Sequence, residues 1–332
     1  MLSINTEALA IAERMIAQAE QLDIQVSHLP CGARLIDAGI NAPGSWQAGK
    51  FIAEISLGGL GSVDFTPAYF GTDSASGGEA GFWLPAVRVV VDHPLVACLG
   101  SQYAGWGIRR GDYFAIGSGP ARAMAAVEPL FQQLEYRDVG EAAVIILEGR
   151  QWPTDEVAQY LARKCRIAPS GLTMILAPAS CLAGSFQLSA RVVATGMHKM
   201  LYLGFDFNQV RHGFGFCPVA PVVPDEDLAS CLSNDCVLYG GRVHYTMRAS
   251  DDDIRGLLER MPSSASPTYG TPFYQIYQQY GSFYAVDKLL FCPAEISINN
   301  LNSGNTFRAG KPHLEVLRSS LLGKEVLKTS SD

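Results

Sequence analysis

Apolar positions along the chain switch repeatedly between helical and extended spacing. Ala8, Leu9, Ala12, Met15, Ile16, Ala19 and Leu22 recur every three or four residues behind a cap at Asn5, which predicts a first helix over about 6–22. Extended runs follow at RLIDAGI (34–40), GSVDFTP (61–67), WLPAVRVVVD (83–92) and EAAVIILEG (141–149). Helical spacing lies between them near 44–55, 94–104, 119–127 and 153–165. A strand at 172–177, LTMILA, then precedes a helix over about 184–204. The Pro- and Asp-rich stretch 218–235 reads as a surface loop. CVLYGGRVHYTM (236–247) reads as a hairpin with Gly240-Gly241 at its turn. Helices near 251–261 and 270–280, strands around 294–309 and a frayed last dozen residues complete the pattern. No repeat of fixed length occurs, and the mixture predicts an α+β or α/β chain in two lobes whose boundary the pattern does not place.

The helix at 184–204 carries an unusual stripe. At 100° per residue, Gln187, Arg191, Ala194 and His198 fall at about 0°, 40°, 340° and 20°. Leu188, Val192, Val193 and Met197 take the other directions. An arginine buried among them needs an anion or a wet cleft, and a carboxylate at i+3 or i+4 would supply the anion. Position 194 is that place, and it holds alanine. The plainer reading is a surface helix from which Arg191 snorkels.

Composition narrows the function. A chain of 332 residues with 48% hydrophobic content can bury a sizeable core. The net charge of −7, without a run of Lys or Arg, argues against nucleic acid as a partner. The N-terminal stretch has Glu7 and Glu13 within its apolar pattern, unlike a signal peptide, and no window approaches eighteen uncharged apolar residues. The expectation is a cytoplasmic protein with no membrane partner. Eight scattered cysteines without a CxxC read as free thiols, and six histidines form neither HExxH nor HxH, so nothing requires a metal.

Three further stretches are candidates for chemistry. In GDYFAIGSGPARAM, Gly117, Ser118 and Gly119 lead into Pro120 at a helix start with Arg122 in the first turn. This is either an anion cradle or a tight strand-to-helix turn. In SLGGLGSVDF, Gly58 and Gly59 allow either a flat ligand or a bend. Asp92 and His93 end an apolar strand, where they could edge a crevice or cap a helix. The absence of GxSxG, GxGxxG and GxxxxGK[ST] disfavours a serine hydrolase, a dinucleotide fold and a P-loop.

The segments SINTEALAIAERMI, LGGLGSV, LPAVRVVVDHP, AGWGIRRGDYFAIGSGPARA, GSFQLSARVVATGMHK, SNDCVLYGG, MPSSASPTYGTPFYQIY and FCPAEISINNLNSGNTFRAGK occur in this order over nearly the whole chain. Together they resemble the methenyltetrahydromethanopterin cyclohydrolase family, enzymes of one-carbon metabolism in methanogens, related archaea and methylotrophic bacteria. The resemblance implies one unit over 1–332, built of two α/β lobes with the pterin in the cleft between them. It also implies a homotrimer, no metal or redox cofactor, and reversible hydrolysis of the N5,N10-methenyl bridge to the N5-formyl form. The family motif on the 184–204 helix reads S-x-R-x-x-E, with arginine and glutamate as the catalytic pair. Ser189 and Arg191 match it, and Ala194 stands at the glutamate. Gln187, Ser189, His198, Gly58, Gly59, Asp92, Gly117, Ser118, Gly119 and Arg122 are the expected substrate-binding positions. For the tail phosphate, the 117–122 loop comes first and Arg109 or Arg110 second. The alanine leaves two readings open: a substituted general base with strongly reduced activity, or a paralogue that binds the pterin without hydrolysing it.

Overall fold

The computed structural model describes residues 3–71 and 81–322; the expected frayed end falls almost wholly outside them. The strands are β1 (Gln25–His28), β2 (Arg34–Asp37), β3 (Gly61–Phe70), β4 (Phe82–Val91), β5 (Trp106–Arg110), β6 (Tyr113–Ser118), β7 (Ala143–Glu148), β8 (Leu172–Leu176), β9 (Val210–Pro218), β10 (Arg242–Met247), β11 (Glu295–Asn300) and β12 (Thr306–Gly310). They form two six-stranded sheets, ordered β1-β2-β8-β7-β6-β5 and β12-β11-β10-β9-β4-β3. The α-helices are α1 (Ile4–Ile16), α2 (Trp46–Ser56), α3 (Ala121–Ala125), α4 (Asp155–Cys165), α5 (Leu182–Ser189), α6 (Val192–Tyr202), α7 (Glu226–Asp235), α8 (Asp251–Leu258), α9 (Phe273–Tyr280) and α10 (Leu314–Leu321). The fold is α+β.

In the first sheet, β2, β8 and β7 run parallel, and both faces of these strands are covered. Ile36, Val144, Ile146 and Ile175 face Met15 of α1 and Ile52 of α2. Leu35, Ile145, Leu147, Met174 and Leu176 face Val157 and Leu161 of α4. Burial on two faces is why AVIIL and LTMIL are unbroken apolar runs. The second sheet is antiparallel except where β10 meets β11, and it carries the largest core cluster.

Four expectations about local structure change. Ser3, not Asn5, caps α1, its Oγ accepting from the Thr6 N–H. Asn5 is buried instead and ties α1 to the first sheet: its Nδ2 donates to the Pro120 carbonyl and to Asp138, and its Oδ1 accepts from Val144 N–H. Residues 236–240 continue α7 as a π-helical turn, so Gly240-Gly241 makes no hairpin, and β10 pairs with β9 and β11. The Pro- and Asp-rich stretch contains α7, with Asp225 accepting from Leu228 N–H as its cap. Finally, the 184–204 helix is two helices broken at Ala190-Arg191.

Candidate functional site

The break positions the site. Arg191 leaves helical geometry, with φ −81° and ψ 1°, and its N–H donates to the Leu188 carbonyl as α5 closes. Gln102, buried on a neighbouring π-helical segment, donates to the Ala190 carbonyl at the break. Helix α6 then presses onto the second sheet. The Tyr245 hydroxyl of β10 donates to the Val193 carbonyl at 2.7 Å. A Cβ at Gly213 or Gly215 of β9 would come within 2.6 Å of Val193 or 2.5 Å of Val192. The alternating glycines of β9 therefore make the groove in which the start of α6 lies, a role that the sequence reading missed.

Beside this helix is a cavity of about 640 Å³. Arg191, Ala194, Thr195, His198, Leu201 and Tyr202 line one wall at helical spacing, while Tyr103, Phe283, Phe291 and Lys288 line others. Apolar and aromatic walls with a few polar groups suit a flat heteroaromatic ligand. The helical stripe thus survives from Arg191 onward. Gln187 belongs to α5 and is fully buried, with its Oε1 accepting from Arg191 Nε and Nη2 at 3.3 and 3.1 Å.

Arg191 does not snorkel from a surface. Its side chain is 12% exposed, its Nη2 donates to Ser118 Oγ at 2.9 Å, and it forms a close ion pair with Glu148 at the end of β7. The carboxylate that an arginine among apolar residues requires comes from a strand of the other sheet, not from its own helix. Glu148 was not a sequence candidate. The available signal was its place at the carboxyl end of a parallel strand, where open α/β sheets hold ligands.

His198 stacks on Tyr103, with ring centroids 4.4 Å apart and 15° between planes. Burial, and then the charges of Lys288 and Arg122, push its pKa down to about 4. The imidazole is therefore neutral throughout the physiological range. Its C2 proton resonance should stay constant from pH 8 to 5 and move only as the pH falls toward 4; a midpoint near 6.5 would contradict this environment. Because the unfolded chain protonates near 6.5, this residue opposes unfolding fully above that pH and loses its contribution as the pH falls from about 6.5 toward 4. Protonating His198 would place a third positive charge near Lys288 and Arg191, so it makes a poor replacement for a carboxylate.

Other expected positions are engaged elsewhere. Arg122 is fully buried: Nε and Nη2 clasp Glu128 at 2.7 and 2.6 Å, and Nη1 donates to the Leu99 and Ser101 carbonyls. Four of its five N–H donors are taken up in this way, none of it is exposed to reach a phosphate, and α3 has only five residues. In the same loop, Gly117 and Gly119 pack on the sheet, where a Cβ would meet Ile108 or Ile146 within 3 Å. Only Ser118 reaches the site, through Arg191. Gly58 and Gly59 have positive φ and lie against Ile4 and Glu7, where they allow the close approach of α1. Ser189 is buried, its hydroxyl donating to the Ser185 carbonyl. Asp92 is exposed and pairs with His212. Arg109 and Arg110 lie on β5, over the rings of Phe114 and Tyr160. All eight cysteines are free, and among the described residues no cluster of His, Cys, Asp or Glu could hold a metal ion.

Comparison with known proteins decides the family. The cyclohydrolase (MCH) family model matches residues 3–321. The chain belongs to the cyclohydrolase (MCH) family. A methenyltetrahydromethanopterin cyclohydrolase of Methanocaldococcus jannaschii is 41% identical over 325 residues, covering 97% of this chain and 98% of its own length. Proteins of the same name from Methanococcus aeolicus and Methanothermobacter marburgensis are each 42% identical. They cover 98% and 96% of this chain, and 100% and 99% of their own lengths. In this cyclohydrolase, the aromatic cavity beside α6 has Arg191 and Ala194 on one wall. No helix among the described residues is long and apolar enough to cross a membrane.

Proposed function

We propose that the chain binds N5,N10-methenyltetrahydromethanopterin in the cavity beside α6, and that its fold serves reversible hydrolysis of this pterin to the N5-formyl form. The observation that carries the reading is that Arg191 and Ala194 face one aromatic cavity in a chain matched over 97% and 98% of its length by cyclohydrolases of that name. The methenyl carbon shares a positive charge with two nitrogens and is already electrophilic, so catalysis consists of orienting a water and moving its proton. Water adds to the bridge carbon, the C–N10 bond breaks, one proton passes to N10 and the other is released. Arg191, held by Glu148, Ser118 and Gln187, presents a fixed guanidinium to the water or to the developing oxygen charge. A glutamate at 194 would be the proton carrier; the methyl group there carries none, so this chain turns over strongly reduced.

The same reading makes the chain a cytoplasmic homotrimer working without a bound cofactor. Support for assembly is the exposed apolar surface of Trp46, Phe65, Tyr69 and Trp83, of a kind that proteins bury against partners. Binding tests the function directly. Titration with methenyltetrahydromethanopterin should give saturable binding of the unconverted cation, read from the methenyl absorbance, with weaker binding of methenyl folate. Absence of binding by the methanopterin form removes the proposal.

A further inference from the structure

The cavity beside α6 has an unusual charge balance. Arg191 and Lys288 are both among its lining residues, which among the described residues include no carboxylate, while the neutral imidazole of His198 lies between them in the chain. With alanine at 194, the α6 wall contributes no negative charge either. The nearest compensation is outside the lining: Glu148, at the carboxyl end of β7, is ion-paired to the Arg191 guanidinium. Its Oε1 is buried against that group, while the side chain as a whole stays 23% exposed. Ser118 and Gln187 hold the same guanidinium but are uncharged. The Lys288 ammonium lies 5.8 Å from the centroid of the Tyr202 ring, and among the described residues it forms no ion pair.

The two forms of the pterin differ by one positive charge at the reacting bridge. The methenyl form is a cation, and the formyl form gives that charge up as a released proton. A ligand cation entering the cavity beside an uncompensated guanidinium is opposed by it, and a neutral ligand is not. Resting on the reading of this cavity as the pterin site, we propose that Glu148 is a charge-compensating positioning residue. By neutralising Arg191 at the cavity wall, it lets the site admit the cationic methenyl form, and it thereby sets the preference between substrate and product.

The chain with Ala194 is suited to the test, because it holds both forms with little interconversion. Dissociation constants for the methenyl and formyl pterins are measured for the parent chain, Glu148→Gln, Glu148→Asp and Lys288→Met. Gln keeps the size and removes the charge, so methenyl affinity should fall about tenfold while formyl affinity stays within about twofold. Asp, which keeps the charge, should retain most of the parent's preference. Lys288→Met removes the opposing charge from an exposed side chain and should shift the preference toward the methenyl form. This variant keeps the test decisive if Glu148→Gln fails to fold. Equal loss of both affinities in Glu148→Gln, as from a merely structural role, overturns the proposal. So does an unchanged ratio in Glu148→Gln or in Lys288→Met. A parent chain that binds neither form instead overturns the functional reading of the cavity, before any variant is compared.

Discussion

Replacing Ala194 by glutamate should raise hydrolysis of the methenyl pterin by about 10²–10⁴-fold, the usual worth of a positioned general acid–base. The site is prepared for that side chain. Residue 194 lines the cavity in the first turn of α6, three positions after Arg191, and the guanidinium already has fixed partners. A glutamate there meets an arginine whose charge Glu148 largely offsets, so it is not driven to the very low basicity that an isolated Arg–carboxylate pair produces. The gain should fall mainly on kcat, because the carboxylate acts on the proton in flight, with a smaller improvement in binding of the cation. Loss of methenyl absorbance followed in parallel for parent and variant measures it. A variant that binds the pterin as well as the parent and yet shows no faster hydrolysis would falsify the mechanism.

Glu128→Ala should cost about 3–5 kcal/mol of stability, because it leaves the Arg122 charge buried and uncompensated. Arg122 has no exposed surface and Glu128 only 9%, and the pair is bidentate at 2.6 and 2.7 Å. The remaining Nη1 bonds to the Leu99 and Ser101 carbonyls cannot balance a full charge. For a chain of 332 residues, a loss of this size should lower the melting temperature by roughly 4–7 degrees. It should also reach the cavity, because Arg122 braces the segment that delivers Tyr103, which stacks on His198 and lies 5.2 Å from the guanidinium. Thermal unfolding of the two proteins decides it: a shift of only one or two degrees would mean that the pair is solvated and not the buried clamp described here.

Much of this protein is legible along the chain because local physics writes it there. The runs AVIIL and LTMIL announce strands covered on both faces, and α4 shows its cap, its acidic first turn and its apolar stripe in the sequence. The S-x-R-x-x-A departure is visible without coordinates, and so is the consequence that no carboxylate follows Arg191 on its own helix. What escaped were features set by contacts between distant segments. No Gly or Pro marks Ala190-Arg191, yet the helix breaks there, where Gln102 meets the Ala190 carbonyl and Arg191 turns to Ser118 and Glu148. In the GSGPAR loop, glycines and an arginine resembled an anion cradle. Whether arginine donors are free depends on Glu128 and two carbonyls, which spacing cannot reveal. The sequence by itself determined the family, the alternation of elements and the absence of a carboxylate one turn after Arg191, because each is carried by residue identity and short-range period. Only the tertiary structure decided which carboxylate meets Arg191, because an ion pair between a strand end and a helix start 43 positions away depends on how the sheet and helices pack.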